Sequence, residues 1–221
     1  MEAVYGFFNL ILVGPLKAIL TVFYNFTDTM GIASYGLAIV LFTIVLKIIL
    51  YPLTVKQIKS MKAMQTLQPK MKEIQEKYKN NKQMQQQKMA EFYKETGFNP
   101  LSGCLPLLVQ MPILIAIFYA IREFEYLGPK SFLYLADIAQ PDPYYFLPVL
   151  SAATTWYSTK QTQKGQATDG PAAQQNKIML MFMPVFIGYI SLQFPAGLVL
   201  YWVVSNLCQI AQQYWIMREA K

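Results

Sequence analysis

The sequence predicts an all-α, polytopic helical membrane protein, and three observations carry that expectation. Of 221 residues, 54% are hydrophobic and 14% charged, and the apolar residues come in blocks of helical length rather than at the alternating spacing of half-buried strands. Most of the 19 Lys and Arg residues gather between particular blocks, the distribution that orients a chain in a bilayer. The first clear span holds a single charge, Lys47, in its interior.

Taken in order, the first block falls within residues 1–28, MEAVYGFFNLILVGPLKAILTVFYNF. It has neither a basic leader nor a small-residue cleavage site, so it is not read as a removed signal peptide. Gly14-Pro15 and Lys17 interrupt it, which favours a helix lying along the outer interface over a membrane span. Residues 35–55 form the first clear span: its 35–53 stretch, YGLAIVLFTIVLKIILYPL, would run ~28 Å as a helix, close to the ~30 Å of a bilayer core.

Residues 56–96 are amphipathic instead. Met61, Met64, Leu67, Met71, Ile74 and Tyr78 recur at steps of three and four, on one helical face. Asn80-Asn81 breaks the pattern, a second amphipathic stretch runs from about 83 to 96, and Gly97 with Asn99-Pro100 ends it. A helical hairpin with a basic outer face follows, bent or locally unwound at Pro69, where a backbone donor is missing. Such a loop either fixes topology alone or docks incoming chains or a partner complex. Its methionines suit adaptable apolar contact and serve equally as core filler.

Further spans are expected at 101–121, 144–160, 178–193 and 196–216, with a short tail at 217–221. The third is rich in hydroxyl side chains. The fourth, at ~24 Å, is short for a bilayer. Pro106 and Pro112 in the second and Pro184 in the fourth should disturb local helix bonding.

Charge then orients the core. Ten Lys and four acids lie in 56–100, and Lys160, Lys164 and Lys177 face only Asp169 in the next basic loop. Both belong in the cytosol. The 122–143 loop, with Arg122 and Lys130 against Glu123, Glu125, Asp137 and Asp142, belongs outside, so the core begins outside and the C-terminus is cytosolic.

Lys47 is the most informative residue. It lies ~18 Å along its span from Tyr35, in the cytosolic half of the bilayer, where an ammonium costs roughly 2.5–3.5 kcal/mol to place. None of the 12 acids falls within the five expected spans, so a buried ion pair is not expected. A water-accessible recess open to the cytosol would accommodate the charge, and so would snorkelling toward the inner headgroups. Thr43, Tyr51 and Thr54 continue a polar stripe from Lys47. Gln110 sits near the centre of the second span, Ser151, Thr154, Thr155 and Ser158 crowd the third, and Trp202, Asn206, Gln209 and Gln213 share a face of the fifth. These could line a hydrated groove, or individually hydrogen-bond between helices.

Other functions have less to work with. There is no histidine, no acid at membrane depth and no nucleophile or metal-ligand motif, so neither enzyme chemistry nor a metal or cofactor is expected. Cys104 and Cys208 have no close spacing partner. Lys and Arg lie between apolar blocks rather than along a recognition helix, which argues against nucleic acid. A small-solute channel would need a continuous polar route and a chaperone-like assembly factor only this polar surface, so the second stays open.

Several long motifs in order carry a resemblance: YPLTVKQIKSMKAMQTLQPKMKEIQEKY at 51–78, NPLSGCLPLLVQMPI at 99–113, DPYYFLPVL at 142–150, KIMLMFMP at 177–184 and FPAGLVLYWVVSNLCQIAQQ at 194–213. The chain resembles the YidC/Oxa/Alb family of membrane-protein insertases, in its bacterial form without a large extracytoplasmic domain, from about 35 to 216. The resemblance implies insertion of nascent membrane proteins into the bacterial cytoplasmic membrane, alone or beside the Sec translocon, with ribosome contact during synthesis; a monomer is a possible unit. It also implies a groove open to cytosol and lipid and closed to the outside, with a positive residue in the first core span. That residue is usually arginine, and Lys47 matches its position. Lysine keeps the charge and loses the planar fork, so bidentate recognition of carboxylates would weaken while field attraction persists. Trp202 falls where the fifth span borders the groove, and the 56–96 hairpin matches the family's first cytosolic region. With so short a tail, ribosome contact would come largely from that basic hairpin.

Overall fold

A computed structural model describes residues 6, 9–97, 105–126, 128–163 and 171–219, with the main chain alone at 64, 105–110, 171–173, 175 and 219. Asn99-Pro100, Cys104 and Lys164 lie outside the described residues, as do the side chains of Met64, Pro106 and Gln110. The described chain is all-α. A π-helical turn, Asn9–Val13, leads into α1 (Gly14–Thr29), followed by α2 (Tyr35–Ile49), α3 (Tyr51–Lys77), α4 (Lys82–Thr96), α5 (Leu105–Arg122), α6 (Phe146–Thr162), α7 (Pro171–Ser191) and α8 (Ala196–Glu219).

Local chemistry explains the boundaries. Ser34 caps α2, its hydroxyl accepting from the Leu37 N–H at 3.3 Å, and Asn81 caps α4 through Met84 N–H at 3.0 Å. Gly97 closes α4 in the left-handed conformation at φ 63°, where a Cβ would be strained. The first expected span is shorter than the 35–55 read from hydropathy. It stops at Ile49, and the axes of α2 and α3 turn through 62°. Pro52 is the reason: it has no N–H to return to the carbonyl of Ile48, a loss tolerated only in the first turn of a new helix. Tyr51 therefore opens α3 rather than ending the span. The bend or unwinding expected at Pro69 leaves no break; α3 continues through it, the flanking bonds of a 27-residue helix carrying one missing donor. Pro112 and Pro184 likewise sit inside unbroken helices.

By length and hydropathy, one described helix, Asn9–Thr29, is long and apolar enough to cross a membrane, and a second if α2 and α3 are one bent span. Met111–Arg122 and Asn176–Ser191 are shorter apolar helices. The five expected spans therefore do not each pass that test. The hydroxyl and amide side chains of α6 and α8 lower their hydropathy, and in the fold many of these groups face one another.

α8 is the central helix, packing against α2, α3, α5 and α6, while α7 leans on α6 and α1 on α2. The main hydrophobic core joins Tyr35, Ile39 and Phe42 of α2 with Ile117 and Ile121 of α5, Leu147 of α6 and Leu198–Tyr201 of α8. All of these lie at the end of the bundle that carries the 123–145 loop. That loop sews the end shut. The carbonyls of Gln140 and Ile138 accept from the first α8 amides, Ala196 and Gly197, each at 2.8 Å. Phe132 covers Gly36, where a Cβ would come within 2.1 Å of its ring. Contacts of α1 concentrate here too: Tyr24 stacks on Tyr35 at 3.9 Å and Lys17 pairs with Glu123 at 3.1 Å.

Candidate functional site

The opposite end, where the α3–α4 hairpin emerges, is built from polar groups. Lys47 sits in the last turn of α2, close to the negative end of the helix dipole. It is half-buried, and its Nζ donates to Gln209 Oε1 of α8 at 3.4 Å. Among the described residues no carboxylate forms a salt bridge with it. The next α8 turn supports the same joint: Gln212 Nε2 donates to the Lys47 carbonyl at 3.0 Å, satisfying an acceptor that the break at Leu50 frees from the helix. The bend and the cation are thus held by two glutamines three residues apart on one helix.

A second seam runs between α6 and α8. Asn206 Nδ2 donates to Thr155 Oγ1 at 2.9 Å and to Thr154 Oγ1 at 3.2 Å. Lower down, Thr162 Oγ1 donates to Gln213 Oε1 at 3.3 Å and Gln161 Nε2 to the Ile210 carbonyl at 3.4 Å. Three amide atoms at this end, Gln161 Oε1, Gln212 Oε1 and Gln213 Nε2, are buried without a protein partner. Such atoms are costly in a dry interior and inexpensive beside water.

Lys47 thus meets Gln209, and Asn206 meets Thr154 and Thr155. Ser158 is buried on the same helix as the threonines, and Trp202 is half-buried one turn above Asn206. Tyr51 is half-buried on the first turn of α3. Thr43 is fully buried with its hydroxyl on the Ile39 carbonyl at 2.6 Å, apart from this junction. Ser151 turns away to α7, meeting Ser191 Oγ at 3.1 Å. The single shared face of Trp202, Asn206, Gln209 and Gln213 divides in the fold: Gln209 addresses α2, while Asn206 and Gln213 address α6. Sequence reasoning passed over Gln212, Gln161 and Thr162. The signal was present, because Gln212 follows Gln209 at the i+3 spacing of one helical face.

In the hairpin, Met61, Leu67, Met71, Ile74 and Tyr78 are all half-buried. Gln85 Nε2 of α4 ties back to the Gln75 carbonyl at 2.8 Å. A cleft of about 290 Å³ between the arms is lined by Gln75, Gln85, Gln86, Met89, Ala90 and Tyr93. No metal-binding cluster of His, Cys, Asp and Glu exists among the described residues.

Comparison with known proteins places this scaffold among the membrane-protein insertases. The model of the family described as 60Kd inner membrane protein matches residues 25–221. A membrane protein insertase YidC of Clostridium perfringens is 46% identical over 195 residues, covering 86% of this chain and 82% of that protein. One of Fusobacterium nucleatum is 44% identical, covering 92% and 96%. The Aeromonas hydrophila insertase is 41% identical over 93% of this chain, which spans only 36% of that longer protein. The crystal structure described as active YidC insertase with the first transmembrane domain resolved superposes with a TM-score of 0.67 at 33% identity, covering 90% of this chain and 45% of that one. The chain therefore belongs to the YidC/Oxa/Alb family of membrane-protein insertases, bacterial type. Its general role is inner-membrane protein insertion.

Proposed function

We propose that the polar end is a hydrated groove, open to cytosol and lipid, in which Lys47 draws the acidic extracellular segment of a nascent membrane protein part-way across the bilayer. The observation that carries this reading is a half-buried lysine whose partner is a neutral amide, set among buried amide atoms that lack protein partners. A structural lysine at membrane depth would be expected to pair with a carboxylate; an unpaired one keeps its field for an incoming charge. The apolar core at the other end supports closure toward the outside. Once the polar segment has been admitted, the substrate helix leaves along α6 and α8 into lipid, driven by apolar burial of ~0.8 kcal/mol per methylene.

In this reading the core crosses the bilayer five times, through α2, α5, α6, α7 and α8, beginning outside and ending in the cytosol. α1 lies along the outer interface, as its contacts with Tyr35 and Glu123 support. Helix α7 is longer than the 178–193 span, yet its apolar part, Asn176–Ser191, remains short, which would thin the adjacent bilayer. The basic hairpin docks nascent chains, the ribosome or the Sec translocon, and small substrates need no translocon.

The test is insertion of a small single-span protein with an acidic outer segment into pure-lipid vesicles carrying the wild-type chain or Lys47→Gln. Insertion that falls about tenfold, equivalent to ~1.4 kcal/mol, supports the charged groove. Equal insertion by both chains assigns Lys47 to snorkelling and refutes the charge step. No insertion by the wild type replaces autonomous action with partner-dependent assembly.

A further inference from the structure

Only two described non-glycine residues have positive φ, Leu133 at 53° and Tyr145 at 58°. The left-handed region costs an L-residue with a Cβ roughly 1–2 kcal/mol, and turns usually place Gly or Asn there. Here it is occupied by a leucine and a tyrosine that are 85% and 60% exposed. The strain is therefore not offset by burial within the protein. Both residues belong to one surface, on the 123–145 loop and the start of α6.

That surface is rigid. Leu133 stands at the tip of a turn closed by the paired Phe132 and Leu135. Tyr134 is the hub behind it, packing edge-on against Tyr144 at 5.8 Å and Phe146 at 5.7 Å. Its hydroxyl donates to Asp142 Oδ2 at 2.8 Å. Asp142 also accepts from the Leu147 and Tyr144 amides, at 2.7 and 3.0 Å, and is only 3% exposed. The loop's acid nearest the patch is thereby turned inward, and the segments 131–136 and 143–149 contain no charged residue. Leu133, Tyr144, Tyr145, Phe146 and Val149 remain outside. The patch continues onto the exposed apolar flank of α7 at Val185 and Tyr189, since α6 and α7 pack through Ser151 and Ser191.

We infer that this patch is a lipid anchor: the 132–135 turn and the Tyr144–Phe146 corner are immersed at the boundary between headgroups and acyl chains. Tyrosine rings favour that boundary because one edge is apolar and the other wet. A leucine at the tip of a rigid turn gains burial there that the protein does not provide. Continuity with the exposed apolar flank of α7 and the absence of charge within 131–136 and 143–149 favour lipid over a protein partner. The anchor would fix the height of the closed end, so that the cation at the opposite end stays at a set depth. That consequence rests on the spanning topology proposed above; the immersion itself does not depend on which leaflet the patch meets.

The experiment places a nitroxide at Leu133→Cys and, separately, Asp137→Cys and Val185→Cys, with Cys104→Ser and Cys208→Ser as background. The proteins are reconstituted in phosphatidylethanolamine/phosphatidylglycerol vesicles. Collision rates with oxygen, which partitions into lipid, and with a water-soluble nickel chelate report depth. The anchor predicts an oxygen-to-nickel ratio at 133 several-fold above that at 137 and approaching that at 185. A ratio at 133 equal to that at 137 overturns it, as does shielding from both reagents that appears only when another membrane protein is added. An impermeant thiol reagent on Lys130→Cys reads the side of the membrane independently, so a wrong topology and a dry patch give different results.

Discussion

Replacing Asp142 with alanine tests how the closed end is held. One buried carboxylate accepts three hydrogen bonds, from Tyr134 Oη, Leu147 N and Tyr144 N. Hydrogen bonds to a charged group contribute ~1.5–3 kcal/mol each. Water can replace the carboxylate at exposed Tyr144, whereas the Leu147 amide is buried and would be orphaned. Discounting the Tyr144 bond, the two that remain sum to about 3–6 kcal/mol. At roughly 2–4 °C per kcal/mol for a chain of this size, Asp142→Ala should lower the thermal midpoint by roughly 6–24 °C in tryptophan-fluorescence melts of the protein in lipid nanodiscs. Asp142→Asn should fall between: an amide oxygen can keep the Leu147 and Tyr134 bonds, but its NH2 then opposes the Tyr144 N–H. Burial, with the bond to Asp142, raises the Tyr134 hydroxyl above the ordinary tyrosine range, so it remains a donor in these melts. A shift under about 2 °C for alanine, or an asparagine variant as stable as the wild type, would refute the reasoning.

Three further outcomes follow from particular contacts. Gly36→Ala puts a Cβ into the Phe132 ring and should cost about 1–3 kcal/mol by overpacking, with a less than additive loss when Phe132→Ala removes the ring atoms that the Cβ meets, read by the same melts. Asn206→Ala removes the bridge to Thr154 and Thr155 and should cost about 0.6–2 kcal/mol, the range for interhelical bonds in membranes; denaturant titration in mixed micelles measures it. In the hairpin, the hydrogen bond from Lys88 holds Glu91 below the usual carboxylate range, and that same bond holds Lys88 above its own. The contribution of Glu91 is fully present above the ordinary glutamate pKa and is lost as pH falls through the lowered value; that of Lys88 is lost only as pH rises through the raised one. Because the pair is exposed, Lys88→Gln should leave the melt at pH 7 unchanged, and circular dichroism between pH 7 and 5 should show no loss of helix.

Much of the architecture could be read from composition and period. Hydrophobic blocks located the helices, the methionine stripe and the Asn80-Asn81 break marked the two hairpin arms, and the long motifs identified the family. Readings that depended on one residue's effect were less secure. Pro52 and Pro69 look alike in sequence, yet the first separates two helices and the second sits in an unbroken one, because only Pro52 falls where a new helix can begin without its N–H. The polar stripe on α8 read as one face, but its residues divide between two neighbours. A helix only ~10 Å across can touch α2 with one edge and α6 with the next, and a helical wheel does not contain the neighbours.

The sequence alone predicts an all-α membrane protein with a single cation inside its 35–55 block, because hydrophobic periodicity and desolvation cost are properties of a segment by itself, while its long motifs carry the resemblance to the insertase family. The fold decides that Lys47 stands at a helix joint supported by Gln209 and Gln212, that the apolar core gathers at one end and the orphaned amides at the other, and that Leu133 and Tyr145 are held outward in strained backbone. The first two depend on contacts between residues far apart in the chain, fixed only when the helices pack, and the third on side-chain packing within 132–147 that no periodicity reports.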